Sequence, residues 1–306
     1  MNTSTSTYFP VRSAIWRRAA DYLVLSKPKI MLMELVTVAA AAVVAGPGVP
    51  EIGLLAHTLL GTFLVAAGAS AWNQWIESDS DALMSRTAGR PLAAARMTSR
   101  EVAWFGTAAA LAGVAYLGFL VNPPTAAIGA LTWLVYVAFY TPLKSRSPWN
   151  TAVGSVSGAL PILMGWTAVG RGLDLGAWAL FLVVFLWQFP HVMAVAWMYR
   201  RQYGAAGLKM LPVVDPSGRR AGIQAVTAAL VLIPVSLAPA MLGIAGTSYL
   251  IGALALGLGQ LYYACAFLRH RNDRTARVLF RATLLYLPAL LLWLACACAC
   301  AVGSRQ

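Results

Sequence analysis

The sequence predicts an all-α, polytopic membrane protein of nine transmembrane helices. Three observations carry that expectation. Apolar residues make up 59% of the 306 and charged residues only 11%, whereas soluble domains run at about 45–50% and about 25%. Apolar runs of roughly 20 residues, each long enough to cross a bilayer as a helix, recur from end to end. The turns between them alternate between short, nearly uncharged ones and longer basic ones. A soluble enzyme or a secreted disulfide scaffold is excluded on these grounds.

Residues 1–29 are rich in Ser, Thr and Arg and carry no acid before Asp21. They read as a tail followed by an interfacial helix with Ile15, Trp16, Ala19, Tyr22 and Leu23 on one face; a mitochondrial presequence is the alternative. The spans follow at 30–47, 52–72, 102–121, 125–141, 151–169, 176–199, 221–243, 248–268 and 279–302, making 30–302 one transmembrane domain, with 303–306 a C-terminal tail. Gly46 to Glu51 closes the first span, Asn122-Pro123-Pro124 the third, Gly170 to Asp174 the fifth and Gly243 to Thr247 the seventh. Gly, Pro and Asn suit such tight reversals.

The basic turns set the orientation. Of 23 Lys and Arg, 21 fall in the N-terminal segment and in the loops after spans two, four, six and eight, leaving Arg171 and Arg305 for the other side. The positive-inside rule then puts the N-terminus in the cytoplasm and, with nine spans, the C-terminus outside. A bacterial inner membrane is the expected location, with the mitochondrial inner membrane as alternative. Most of the +13 net charge is thus topology, and no nucleic-acid partner is expected. Cys265, Cys296, Cys298 and Cys300 all fall within spans, with no His or carboxylate nearby, and read as small packing residues.

The loop after the second span carries the chemistry. Asn73, Glu77 and Asp81 stand at i, i+4 and i+8, so they line one helical face about 12 Å long. Three oxygen-bearing side chains at the mouth of a bundle suit a hard divalent cation, above all Mg2+, which binds through one or two carboxylates and completes its shell with water and phosphate oxygens. Asp79 falls off that face. Arg86 and Arg90 follow, again four apart, and guanidinium forks beside a metal stripe point to a phosphorylated substrate. Tyr140, Lys144 and Arg146 close the fourth span, while Arg200, Arg201 and Lys209 extend the basic surface after the sixth. Basic loops meeting over a greasy interior would attract an amphiphile with a diphosphate head. In the sixth span Pro190 is expected to distort the helix, and His191 beside it is a polar group in a membrane, hence a functional candidate. His57 and Glu34 lie in or near spans without a companion pattern and receive no role.

These segments resemble the UbiA-type intramembrane prenyltransferase superfamily and, within it, the branch that farnesylates haem. The resemblance rests on Lys27-Pro28-Lys29, Asn73 to Leu92, Tyr140 to Arg146, Trp187-Gln188-x-Pro190-His191 and Gly207-x-x-Met210-Leu211-Pro212. It implies a nine-helix bundle around a central cavity. It further implies transfer of the farnesyl group of farnesyl diphosphate to a vinyl group of haem B, with addition of water, using Mg2+ held by Asn73, Glu77 and Asp81. Arg86, Arg90, Tyr140, Lys144 and Arg146 would hold phosphate oxygens. One departure stands out: residues 187–203 contain no carboxylate, where quinone-precursor prenyltransferases carry a second aspartate motif. His191, Gln202 and Tyr203 would take over the polar work there, on phosphate or porphyrin propionates, with His191 counted beside the stripe as catalytic. The product would pass to a haem A synthase for terminal-oxidase assembly. A prenyltransferase acting on a quinone precursor and a membrane transporter are the competing expectations.

Overall fold

The chain is described from a computed structural model covering residues 11–46, 48 and 50–303, with side chains from 15 to 298. Its elements are α1 (Val11–Leu25), α2 (Pro28–Ala45), α3 (Ile52–Ile76), α4 (Ser78–Ala82), α5 (Ser99–Leu120), α6 (Pro123–Leu134), a π-helical segment (Val135–Tyr140), α7 (Thr141–Leu143), α8 (Asn150–Ala168), α9 (Leu175–Met198), α10 (Arg200–Ala205), α11 (Leu211–Val214), α12 (Arg219–Met241), α13 (Thr247–His270) and α14 (Asp273–Gly303). No strand occurs among the described residues.

Eight helical segments are long and apolar enough to cross a membrane. The ninth expected span is α8, which has the length, 19 residues, but carries Asn, Ser, Thr and Gly along it. It is nonetheless the most enclosed helix, packed against α2, α6 and α9 and buried over most of its residues. A helix surrounded by protein needs no apolar coat for lipid, so its lower hydropathy reflects its central position.

Local signals end the helices where the sequence indicates. Asn122 accepts a hydrogen bond from Thr125 N (2.9 Å) with Pro123 following it, and Asp174 accepts one from Ala177 N (3.0 Å). Each satisfies a free amide at a helix start. Small residues let helices close on each other, as in other membrane bundles: a Cβ on Gly68 of α3 would lie 2.6 Å from Gly106 O of α5. The main core joins α2, α3, α8, α9, α13 and α14 through residues such as Val44, Leu163, Trp166, Leu180, Tyr249 and Leu290.

Three expectations change. The second span runs past residue 72 to Ile76, so the polar stripe begins inside the helix. Pro190 does not break α9, which continues to Met198, held on its sides by α8, α12 and α14. Cys265 and Cys296 lie exposed on the outer surface and do not pack inside the bundle; among the described cysteine side chains only Cys298 is partly buried, its thiol 3.4 Å from Ile244 O. The side chain of Cys300, residues 1–10 and residues 304–306 lie outside the described residues, and with them the first ten residues of the expected N-terminal segment. Of that tail's helix, Ile15, Trp16 and Leu23 are exposed, while Tyr22 turns in against Phe105 and Glu101.

Candidate active site

Asn73, Glu77 and Asp81 keep their common face across the junction of α3 and α4. Glu77 caps α3, yet the ladder continues through it: Glu77 N donates to Asn73 O (2.9 Å) and Asp81 N to Glu77 O (2.7 Å). All three side chains are buried, while Asp79, off that face, is exposed.

Each member of the stripe has its own cation. The Lys27 ammonium donates to Asn73 Oδ1, Lys144 Nζ lies 2.7 Å from Glu77 Oε1, and Arg90 pairs with Asp81 Oδ2. Lys27, quoted above only as part of Lys27-Pro28-Lys29, was given no role in the site. It sits just ahead of the first span in the left-handed region (φ 52°, ψ 64°), a strained conformation for a residue with a side chain. That turn brings its amine inward to Asn73 and to the Tyr136 hydroxyl (3.3 Å).

The fourth span supplies the opposite wall. The π-helical segment presents Tyr136, Tyr140 and then Lys144 toward the stripe: the two rings are 5.2 Å apart, and Lys144 lies 4.6 Å from the Tyr140 ring centre. Thr141, at its end, donates to Tyr136 O (2.7 Å) and accepts from Asn73 Nδ2 (3.1 Å), so the wide turn is fastened to the stripe itself. Wide turns of this kind concentrate at functional sites. Gly154 makes room for it, since a Cβ there would stand 2.6 Å from the Tyr140 ring.

The loop after the sixth span closes the arrangement. Arg86 donates to Tyr203 OH (2.7 Å) and stacks between Tyr199 and Tyr203, 4.7 and 4.9 Å from their ring centres. Lys209 N donates to Lys144 O (2.7 Å). Gln202 Oε1 is buried without a hydrogen-bond partner. Arg146 is exposed and touches none of these groups. His191 also stands apart from the stripe, stacked on Trp187 (4.9 Å) with Nδ1 2.9 Å from the Thr283 hydroxyl of α14. Because that hydroxyl donates to Phe280 O (2.7 Å), it accepts from His191 Nδ1–H, leaving the lone pair on Nε2.

Burial and neighbouring charge set the protonation of the stripe. Burial followed by the nearby Arg90 and Lys144 lowers Lys27 to about 7. Burial raises Asp81 above the usual carboxylate range in spite of Arg90. For Glu77 the burial penalty is outweighed by Lys144 and Lys27, which hold it below that range. Burial opposes the charge on Lys144 too, but Glu77 outweighs it and raises Lys144.

Among the described residues, no three His, Cys, Asp or Glu side chains converge as a ready cation cage. The donor set nevertheless fits a hard divalent ion that keeps water and phosphate ligands. Asp81 Oδ1 is buried and has no hydrogen-bond partner, an oxygen whose burial is costly unless a ligand satisfies it.

Fold and site together define an intramembrane protein with a paired acidic–basic cluster at one face. Residues 35–294 match the model of the UbiA prenyltransferase family; the chain belongs to that family. It is 42% identical over 277 residues to the protoheme IX farnesyltransferase of Solibacter usitatus, covering 88% of this chain and 95% of that protein. It is 39% identical over 270 residues to the protoheme IX farnesyltransferase of Salinibacter ruber, covering 88% and 95%. Among solved structures, a digeranylgeranylglyceryl phosphate synthase superposes with TM-score 0.79 at 18% identity, covering 92% of this chain and 99% of that one. A UbiA homologue from Archaeoglobus fulgidus bound to DMAPP and Mg2+ superposes with TM-score 0.70 at 15% identity, covering 91% and 99%. These last two likenesses are of fold.

Proposed function

We propose that the chain is a prenyltransferase that moves the farnesyl group of farnesyl diphosphate onto a vinyl group of haem B, with addition of water. The acceptor follows from relatives near 40% identity along most of the chain that bear the name protoheme IX farnesyltransferase. The donor end rests on one observation: every oxygen-bearing side chain of the stripe faces a cation, while Asp81 keeps one buried oxygen open.

The residues act as follows. Asn73, Glu77 and Asp81 are the side chains that would hold Mg2+, and the ion would supply positive charge against the departing diphosphate. Lys27, Lys144 and Arg90, engaged with the stripe in the structure, turn to the phosphate oxygens when the substrate enters. Arg86, braced by Tyr199 and Tyr203, grips the diphosphate from the other side, and Tyr140 and Gln202 contribute polar contacts. Arg146, at the exposed rim, steers the anion inward. These charges favour the transition state, in which the C1–O bond breaks and its electron pair leaves with the diphosphate. The vinyl π electrons of the haem form the new bond to C1, and water adds to the cation left on the porphyrin side chain with loss of one proton. His191, fixed by Thr283, presents Nε2 to the porphyrin.

The same reading places the basic face in the cytoplasm, the C-terminus outside, the protein in the bacterial inner membrane, and a haem A synthase downstream as recipient of the product. Purified protein incubated with haem B, farnesyl diphosphate and Mg2+ is expected to yield a pigment heavier by one farnesyl and one hydroxyl group. An unmodified pigment, or full activity in Asp81→Ala, would refute the assignment. Full output from His191→Ala would remove the role given to that residue.

A further inference from the structure

Glu34 carries no role in the scheme above, yet its position is unusual. It lies on α2 seven residues from Lys27 on one side and seven from Ala41 on the other. Seven residues make nearly two turns, so Glu34 and Ala41 share a face, with Glu34 about 10 Å deeper than Lys27. That face looks into the bundle: Ala41 is fully buried, 3.0 Å from where a Cβ on Gly165 of α8 would stand. Glu34 on this face is only half-buried, so it borders open space. Among the described residues its carboxyl makes no hydrogen bond or ion pair. An unpartnered carboxyl in a membrane span is costly, and such groups mark functional sites. α2 starts at the basic face, and Glu34 lies six residues in, about 9 Å.

We propose that Glu34 is the base for the hydration step. The inference rests on the haem-farnesylating reading. Once the vinyl group has bonded to farnesyl C1, the cation next to the porphyrin ring accepts a lone pair from water and a C–O bond forms. One water proton passes to a Glu34 carboxylate oxygen and from there to the departing diphosphate, so charge and atoms balance. The carboxylate sits below the diphosphate stripe, where the new cation forms, and leaves the earlier C1–O cleavage to the stripe and its cations.

The test is product partition. Wild-type protein and Glu34→Gln are incubated with haem B, farnesyl diphosphate and Mg2+, and farnesylated pigments are separated by mass into hydrated and water-lacking forms, with diphosphate release followed in parallel. Removing a general base costs on the order of 100-fold. Glu34→Gln is therefore expected to release diphosphate and farnesylate haem, but to lose a carbon-bound proton in place of gaining water, so that the water-lacking product dominates. Glu34→Asp, which keeps a base one methylene back, is expected to restore part of the hydrated form, and it serves as the main test if the amide variant does not insert. A wild-type hydrated fraction in Glu34→Gln overturns the proposal, as does loss of diphosphate release in both variants. Wild-type protein that leaves haem unmodified refutes the underlying reading instead, and that result is seen before any variant is compared.

Discussion

Lys144 Nζ lies 2.7 Å from Glu77 Oε1 and joins the end of the fourth span to the end of the second. Both side chains are largely buried, at 15% and 9% exposure. Breaking such a pair from one side leaves a charge without compensation, which costs about 3–5 kcal/mol. Lys144→Met is expected to lose activity and to unfold in detergent at a clearly lower temperature. Lys144→Met combined with Glu77→Leu should regain much of the stability and none of the activity, as thermal melts and haem conversion read together would check.

Asp81→Asn keeps the shape of the stripe and removes a charge that Mg2+ would use. The Mg2+ concentration for half-maximal activity is expected to rise at least about tenfold, the lower end of what even an outer partner of a metal costs. Titration of activity against Mg2+ in both proteins decides this. An unchanged midpoint would remove Asp81 from the ligand set.

Tyr203→Phe deletes the hydroxyl that accepts from Arg86 at 2.7 Å but keeps the ring beneath the guanidinium. A hydrogen bond to a charged group contributes about 1.5–3 kcal/mol. If Arg86 holds diphosphate, KM for farnesyl diphosphate should rise about tenfold or more, with kcat changed less. Steady-state kinetics separate the two, and a change in kcat alone would argue against the clamp.

Lys27 provides a pH dependence with a definite sign. Its value, about 7, lies below the ordinary lysine value of 10.5, so the folded protein binds fewer protons than the unfolded chain between those limits. Stability therefore rises with pH across that window, and the burial penalty is fully present below pH 7. Charge at Lys27 is present below 7 and is lost above it, so affinity for a diphosphate should fall as pH rises past 7. Lys27→Arg stays charged and should flatten the rise of KM between pH 7 and 9. Parallel slopes in the two proteins would refute the effect.

Much of this site is legible in the sequence because it is local. The i, i+4, i+8 stripe survives the α3–α4 junction because its backbone ladder does, and eight of the nine expected spans follow from apolar length, α8 having the length alone. Lys27 was passed over because nothing in Lys27-Pro28-Lys29 says which lysine turns inward; the proline bars ordinary helix at residue 27, and the left-handed turn follows only in the packed chain. The His191–Thr283 pair joins residues 92 apart, with no periodicity to announce it. Tyr136 and Thr141 were missed for a third reason: hydropathy patterns show a helix but not its coil width. Arg146 shows the reverse, a motif residue that the fold leaves at the rim.

The wide coil at Val135–Tyr140 sets a constraint on sequence length. Excising one residue from this stretch would leave an apolar segment quite able to insert in a bilayer, and its hydropathy trace would hardly change. The end of the helix, however, would swing by about 100°, carrying the Lys144 ammonium away from Glu77. Such a protein should still enter the membrane and be catalytically dead, while losing in detergent about as much stability as Lys144→Met, a single-codon lesion invisible to a hydropathy trace and decisive for chemistry.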